Sequence, residues 1–285
     1  MSICNKQFGI VAADLAAAND LVGLGDHLRT ALDNPELTKG WKSQLLKLEA
    51  FINDGQSRFS IHAGDGNSKL PFVSFSTAPG STCPGAGECL TFCYSYRAWR
   101  YPAAMARQIQ NTVLMQTRKG RALILADLDK YAKRAAPTLN YRLYVDGDFQ
   151  NEKQLAFWME ALASRPWLKC YGYSKSWAEF VEYAKTGGTF PSNYLLNLSS
   201  GSNASAEVAA EVRKLSCVRG EFNAVSLGRA VKSTDHGDRA HQAELRQAYG
   251  KKAFTCPGQC GSCTKVEHAC GSDRFKGLDI IIAVH

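Results

Sequence analysis

The feature that most constrains the fold is an alternation of short apolar runs with helical patterns. Six runs have the composition of β-strands, and they lie at 72–76, 141–146, 168–173, 194–198, 222–227 and 278–284. Helical patterns of about 10–15 residues separate most of them, which is typical of parallel βα units. A doubly wound sheet and a (β/α)6 barrel both fit this count. We predict an α/β fold built as a partial, TIM-like (β/α)6 barrel.

The predicted barrel domain covers residues 70–285 and contains a cysteine loop at 83–93 and a Cys-rich insertion at 253–272. Residues 1–69 are predicted as an N-terminal helical segment with a β-hairpin, packed on the barrel. Hydrophobic residues make up 45% of the chain and charged residues 21%, as in a globular protein. No apolar run approaches the ~18–20 residues of a membrane helix, and the N-terminus does not resemble a signal peptide. We expect a cytoplasmic protein.

Functional groups in such folds lie where strands end and βα loops begin. Polar residues and glycines follow the second to fifth predicted strands. Turn formation and helix capping would explain some of them equally well. We predict two residues as catalytic, through acid–base chemistry or by holding a charged group, namely Asp148 and Lys175. We predict as cofactor-binding Asp146, Gly147, Ser199, Ser200, Ser202 and Arg229.

The chain has ten cysteines, and seven of them form two clusters. The first cluster is Cys83, Cys89 and Cys93, spaced C-x5-C-x3-C in a Gly-rich loop after the first predicted strand. Three thiolates at this position can hold a [4Fe–4S] cluster that leaves one iron open to a ligand. Zinc with a fourth ligand from elsewhere is the competing interpretation.

The second cluster has the spacing C-x3-C-x2-C-x6-C and comprises Cys256, Cys260, Cys263 and Cys270. Four thiolates form a closed set, which fits a structural zinc ion or an auxiliary iron–sulfur cluster. His268 is an alternative to Cys270 as fourth ligand. The two clusters could also contribute to a single centre.

An aromatic and basic stretch follows the first cluster directly, with Tyr94, Tyr96, Arg97, Trp99, Arg100 and Tyr101. It could stack a base and bind a phosphate. Alternatively, it is a helix start whose aromatic rings pack on the core while its arginines reach solvent. The formal net charge of +8 permits a phosphate-rich partner without requiring one.

A three-cysteine loop after the first strand of a parallel βα array resembles the radical S-adenosylmethionine (SAM) superfamily. There the loop has the spacing C-x3-C-x2-C, which in this chain occurs at Cys256, Cys260 and Cys263 instead. The second strand of that superfamily ends in a Gly-Gly-Glu-like motif, a place taken here by residues 146–148. The resemblance implies SAM as a cofactor and Asp148 as the carboxylate that binds its amino group.

A second resemblance is to the phage family called the mycobacteriophage gene 88 product. It rests on the segments STCPGAGECLTFCYSYR, YRLYVDGDFQNEKQLAFWMEAL and YGYSKS and on a Cys-rich tail that ends in a short strand and a final His. It covers residues 70–285. It implies a phage or mobile-element origin and the cytosol of a bacterial host.

These patterns predict an iron–sulfur redox or radical enzyme whose open iron binds SAM or the substrate. We expect a small-molecule or nucleotide substrate, with nucleic acid as a further possibility, a separate reductant and no membrane partner. The chain lacks P-loop, G-x-G-x-x-G, G-x-S-x-G and H-E-x-x-H motifs, which argues against the corresponding enzyme classes. The alternative is a zinc-stabilised nucleic-acid-binding or regulatory protein without catalysis.

Overall fold

The computed structural model describes residues 6–64, 70–232, 234–261, 263 and 268–284. Its α-helices are α1 (Lys6–Ala17), α2 (Leu21–Leu32), α3 (Lys39–Asp54), α4 (Cys89–Phe92), α5 (Ser95–Ala98), α6 (Pro102–Gln116), α7 (Arg118–Asp129), α8 (Glu152–Ala163), α9 (Trp177–Lys185), α10 (Ala206–Val212) and α11 (Arg239–Tyr249). Its strands are β1 (Val73–Ser74), β2 (Leu139–Leu143), β3 (Leu168–Ser174), β4 (Tyr194–Ser199), β5 (Val218–Val225), β6 (Ala253–Thr255) and β7 (Asp279–Ala283). None of the described helices is both long and apolar enough to cross a membrane.

The seven strands form one sheet in the order β1-β2-β3-β4-β5-β7-β6, and every neighbouring pair is parallel. The predicted α/β fold with a parallel sheet is therefore confirmed. From β1 to β5 the strands follow chain order, without the reversal that marks a doubly wound sheet. The strands β1 and β6 are its two edges.

The strands differ from the sequence prediction in several places. Strand β5 begins at Val218, four residues before the predicted start at residue 222. The second predicted strand ends early because Tyr144 has a φ of 54°, a left-handed conformation that leaves the extended strand. Strand β6 is not predicted from the sequence, since only three residues, Ala253–Thr255, pair with β7. The predicted hairpin before β1 is present as one antiparallel bridge between Ala63 and Ser74. Its turn, at 65–69, lies outside the described residues.

Side chains that alternate along the strands separate two layers. On one face, Tyr141, Cys170 and Tyr194 stand side by side in register and are buried under the helices. The N-terminal helices share this core, because Leu24 and Leu45 are fully buried in it. On the other face, Tyr171, Leu195 and Ile280 pack against the Cys-rich segment that follows β6. The sheet thus has helices on one face and the Cys-rich segment on the other.

Candidate metal and ligand site

The first cysteine loop (residues 83–93) lies across the carboxyl ends of β3 and β4. The Gly87 N–H donates a hydrogen bond of 3.3 Å to the Gly201 carbonyl, and the Gly85 carbonyl accepts one of 3.0 Å from the segment after β4. A Cβ atom on Gly85 would lie 1.8 Å from the carbonyl oxygen of Lys175. Only glycine permits this approach, so the sequence itself fixes the loop against the strand ends.

Asp148 is buried beneath this loop and orders the end of β3. Its carboxylate accepts hydrogen bonds from Ser174 Oγ at 2.7 Å, Lys175 N at 2.8 Å and Phe149 N at 2.8 Å. Burial raises the pKa of the Asp148 carboxyl, and these three hydrogen bonds oppose the rise. The carboxylate thus holds the backbone in place through hydrogen bonds, and the nearby Lys175 also favours its charged form.

Lys175 and two of the predicted serines come together beside Asp148. The Lys175 ammonium donates to Ser199 Oγ at 2.6 Å, and Ser202 Oγ donates to the Lys175 carbonyl at 2.7 Å. The ends of β2, β3 and β4 therefore contribute one polar cluster, as the sequence predicts for the carboxyl edge of a parallel sheet.

The three thiols of the first loop share this region. Burial raises the pKa of Cys83 to about 12, with a further contribution from the Asp148 carboxylate. Burial also raises the pKa of Cys89, and the Lys175 ammonium opposes that rise. Burial raises the pKa of Tyr96 to about 12, and Cys93 is the next largest cause. Without a metal, the Cys83 and Cys89 thiols are mostly protonated at neutral pH.

Asp146 and Gly147 act on the backbone at the end of β2. Asp146 accepts a hydrogen bond of 2.9 Å from Gln108, and its N–H donates to Ser76 Oγ at 3.2 Å. Burial raises the pKa of the Asp146 carboxyl. Gly147 has a φ of 74°, and a Cβ there would lie 2.0 Å from Thr77 Oγ1. Their contacts shape the strand end.

Two predicted binding residues have other partners. Ser200 Oγ accepts a hydrogen bond of 3.0 Å from the Ala224 N–H, which joins β4 to β5. Arg229 is exposed and forms an ion pair with Glu244 of α11. The structure places neither side chain with Lys175.

The second cysteine segment (residues 256–270) covers the face of the sheet opposite the helices. Asn197 of β4 donates a hydrogen bond of 3.0 Å to the Cys270 carbonyl. His268 is buried, and its ring lies 4.6 Å from the rings of both Phe72 and Tyr171. Residues 262 and 264–267 of this segment lie outside the described part of the chain.

Backbone amides point at two of its sulfurs. The Gly258 N–H donates to Cys256 Sγ at 3.4 Å, and the Ala269 N–H donates to Cys263 Sγ at 3.3 Å. Burial raises the pKa of Cys256 to about 11. Amides of this kind stabilise negative charge on sulfur, as they do around metal-bound thiolates.

The other two sulfurs contact polar groups of β2 and β3. Arg142 Nη1 lies 4.0 Å from Cys260 Sγ, and the guanidinium lies 4.7 Å from the centre of the Tyr173 ring. Arg142 Nε is buried and has no hydrogen-bond partner among the described residues. Burial raises the pKa of Cys270 to about 12, and a hydrogen bond with Tyr173 opposes the rise.

Arg219 is fully buried beside Cys270. Its Nε donates to Asn197 Oδ1 at 2.5 Å, and its terminal nitrogens donate to the backbone carbonyls of Glu221, Phe275 and Leu278. Burial lowers the pKa of Arg219, and the largest opposing effect comes from Cys270, followed by Tyr173 and Asp279. Within the described chain, neither Arg219 nor Arg142 forms an ion pair with a carboxylate.

In the part of the chain that the structure describes, no three His, Cys, Asp or Glu side chains are arranged to hold a metal ion. The thiols of each cluster share one environment without forming a coordination sphere.

Sequence reasoning missed the two arginines and the two tyrosines that face the second cluster. Part of the signal is in the sequence, because Arg142 stands between the apolar Tyr141 and Leu143 in β2. Arg219 lies in a mixed segment that begins before the predicted strand, so no local pattern marks it. An arginine at an inward-facing position requires a partner in the interior. Alternation along β3 likewise places Tyr171 and Tyr173 on the face opposite Cys170.

Comparison with known proteins identifies the family of the chain. The chain matches no curated protein and no solved structure. The family model described as gene product 88 matches residues 46–275. The match begins earlier than the sequence resemblance at residue 70, and so includes most of α3. Because the match spans well over half of the sequence, the chain belongs to the gene product 88 family of phage proteins.

Proposed function

We propose that this chain is an iron–sulfur protein and a redox or radical enzyme, with one centre at each cysteine cluster. In this proposal Cys83, Cys89 and Cys93 hold a [4Fe–4S] cluster at the carboxyl edge of the sheet, which is the mouth of a partial barrel. The four cysteines of the second segment hold a closed centre on the opposite face from the helices.

The observation that carries the proposal is the charge of the two arginines around the second cluster. A buried guanidinium without an anion is costly. Arg219 is fully buried, and its hydrogen bonds go to neutral oxygens. Four thiolates on a zinc ion or on a [4Fe–4S] cluster carry a net charge of about −2. Asp146 and Asp279 act electrostatically on Arg142 and Arg219, but neither carboxylate forms an ion pair with them. A metal centre would add the negative charge beside both guanidinium groups that four neutral thiols lack.

The first cluster offers only three thiols, which suits a reactive centre. When bound there, a [4Fe–4S] cluster supplies one-electron chemistry and one iron that can take SAM or the substrate as a ligand. Lys175, beside Cys89, would bind a carboxylate or phosphate of that ligand. Ser199 would orient the Lys175 ammonium, and Asp148 would hold the strand end that carries it. Asp148 already accepts three hydrogen bonds, so we assign it a positioning role.

A zinc-stabilised protein without catalysis is the second candidate. The closed four-thiolate set and its amide hydrogen bonds fit a zinc ion as well as they fit an iron–sulfur cluster. The two candidates differ at the first cluster, where zinc would need a fourth ligand.

Metal analysis tests the proposal. The protein is purified without oxygen, and iron, zinc and acid-labile sulfide are measured with a visible spectrum. About four to eight irons with matching sulfide and a broad absorbance at about 400 nm support it. Zinc without iron and without colour overturns the redox function and leaves the second candidate.

Single cysteine variants assign the centres. Cys89→Ser should remove the metal of the first cluster only, and Cys260→Ser that of the second only. Cys170→Ala is the matched control, since Cys170 is buried on the helix-facing side of β3, in the main core. Loss of all metal in each single variant would indicate one shared centre instead.

A further inference from the structure

We propose that an exposed surface beside the first cysteine loop binds single-stranded nucleic acid. The surface consists of Tyr94, Arg97, Arg100 and Tyr101, and we call it the Tyr94–Tyr101 surface. The inference rests on the proposed function only in naming its substrate class. The surface itself is formed by protein side chains and requires no metal.

The aromatic residues of this stretch divide into an inner and an outer pair. Trp99 is 3% exposed and donates through Nε1 to Gln108 at 2.6 Å, and its ring packs 4.9 Å from that of Tyr96. Tyr94 and Tyr101 are each 58% exposed, more than any other aromatic side chain in the described chain. Core packing therefore explains the inner pair, whereas the outer pair presents much of its ring surface to solvent.

The arginines of the surface are available for phosphates. Arg97 and Arg100 are both exposed, and neither forms an ion pair among the residues that the structure describes. By contrast, the exposed arginines Arg29 and Arg229 pair with carboxylates. The Arg100 guanidinium lies 4.9 Å from the centre of the Tyr101 ring, which presents a cation and an aromatic face together.

These four residues lie close together along α5 and the turn that follows it. Arg97 follows Tyr94 by three residues, and the Arg97 N–H donates to the Tyr94 carbonyl at 2.9 Å. Tyr101 lies one further turn along, where its N–H donates to the Ala98 carbonyl at 3.0 Å. The Tyr94 hydroxyl donates to the Val145 carbonyl at 2.8 Å, which fixes its ring next to the end of β2.

Exposed tyrosine faces with unpaired arginines fit unstacked bases and their phosphates. In single-stranded nucleic acid every base offers a face for stacking, whereas a duplex hides these faces. The formal net charge of +8 favours a polyanion in general. Because Tyr94 directly follows Cys93, a strand bound here would reach the first cysteine loop.

Fluorescence anisotropy with a labelled oligothymidylate of about 12 nucleotides tests the inference. The full chain, purified without oxygen, should bind it with an affinity that falls as salt rises. Tyr101→Ala should weaken binding about 5- to 150-fold, and Tyr101→Phe should retain it, since stacking needs only the ring. The double variant Arg97→Ala, Arg100→Ala should make the salt dependence shallower by about one to two phosphate contacts.

A charge-matched control separates this surface from general attraction. Arg118→Ala with Lys119→Ala removes the same charge from exposed positions at the start of α7, and it should change affinity much less. Equal weakening by both double variants overturns the inference, as does equally tight binding of a duplex of the same length. Absence of binding at low salt overturns it too.

Competition by polyglutamate as strong as that by unlabelled oligonucleotide would indicate an acidic protein partner instead. Metal content is measured on the same samples, so a failure here is distinct from a failure of the proposed function.

Discussion

Replacing Arg142 with glutamine tests whether the second cluster carries negative charge. The Arg142 side chain lies on the sheet face opposite the helices, and its Nη1 is 4.0 Å from Cys260 Sγ. Glutamine keeps a polar group of moderate length and removes the charge. If the four cysteines bind a metal as thiolates, the variant loses an attractive interaction that exists only in the metal-bound form. If they remain neutral thiols, it loses little.

The distance sets the size of the effect. Two unit charges 4 Å apart interact by about 4 kcal/mol at an effective dielectric constant of about 20. A four-thiolate centre with a net charge of about −2 places roughly half a unit on each sulfur. The Arg142–Cys260 interaction therefore contributes about 2 kcal/mol, which corresponds to an affinity about 30-fold lower in Arg142→Gln.

The assay is competition for zinc between a chromogenic chelator and the metal-free protein. Arg142→Lys is the matched control, because lysine restores the charge and should recover most of the affinity. An Arg142→Gln affinity within about threefold of the original protein would refute the charge argument. An equal loss in Arg142→Lys would show that shape, and not charge, determines the effect. In protein that carries an iron–sulfur cluster, Arg142→Gln should also lower the reduction potential, since a nearby cation favours the reduced form.

Three further predictions concern the fold and the first cluster. Burial lowers the pKa of His62, so the unfolded chain binds the proton first as the pH falls below about 6.5. The free energy of unfolding then falls by up to about 1.4 kcal/mol per pH unit. Urea unfolding between about pH 7 and pH 5 should therefore show a weaker dependence of that free energy on pH in His62→Gln than in the original protein. Gly85→Ala places a methyl group against the Lys175 carbonyl and should lower the free energy of unfolding in urea by about 1–3 kcal/mol. Gly40→Ala is the control: no atom lies within 4 Å of its new Cβ, so it should not lower that free energy. Lys175→Met removes the cation that lowers the pKa of Cys89. In metal-free protein, the pH at which the alkylation rate of Cys89 rises should therefore be higher in this variant. An unchanged pH profile would contradict the proximity of Lys175 to Cys89.

The parallel sheet could be predicted from the sequence because each of six strands is an apolar run bounded by turn residues. The exception, β6, has only three residues and lies next to the cysteines, so no periodicity marks it. Its pairing with β7 is a long-range contact that local patterns do not encode. The left-handed Tyr144 that ends β2 was equally invisible, since tyrosine has no preference for that conformation.

The candidate site was predictable where it follows strand ends and not where it lies on a sheet face. Asp148, Lys175 and Ser199 meet because parallel strands end at one edge. The electrostatic interaction of Arg219 with Cys270 depends instead on how a loop folds back over the sheet. The sequence shows that an arginine is present, but it does not show which loop approaches it.

The different surroundings of the two clusters argue for two centres with different roles. The first cysteine loop is held against strand ends by backbone contacts, and its neighbours Lys175 and Ser199 are groups that can bind a ligand. The second cluster meets Arg142 and Arg219, whose charges suit a fixed anion. A centre compensated by internal cations and held by four thiolates has no position for a substrate, whereas a three-thiolate centre next to a lysine does. We therefore propose that the chemistry takes place at Cys83, Cys89 and Cys93, and that the second centre serves stability or electron supply.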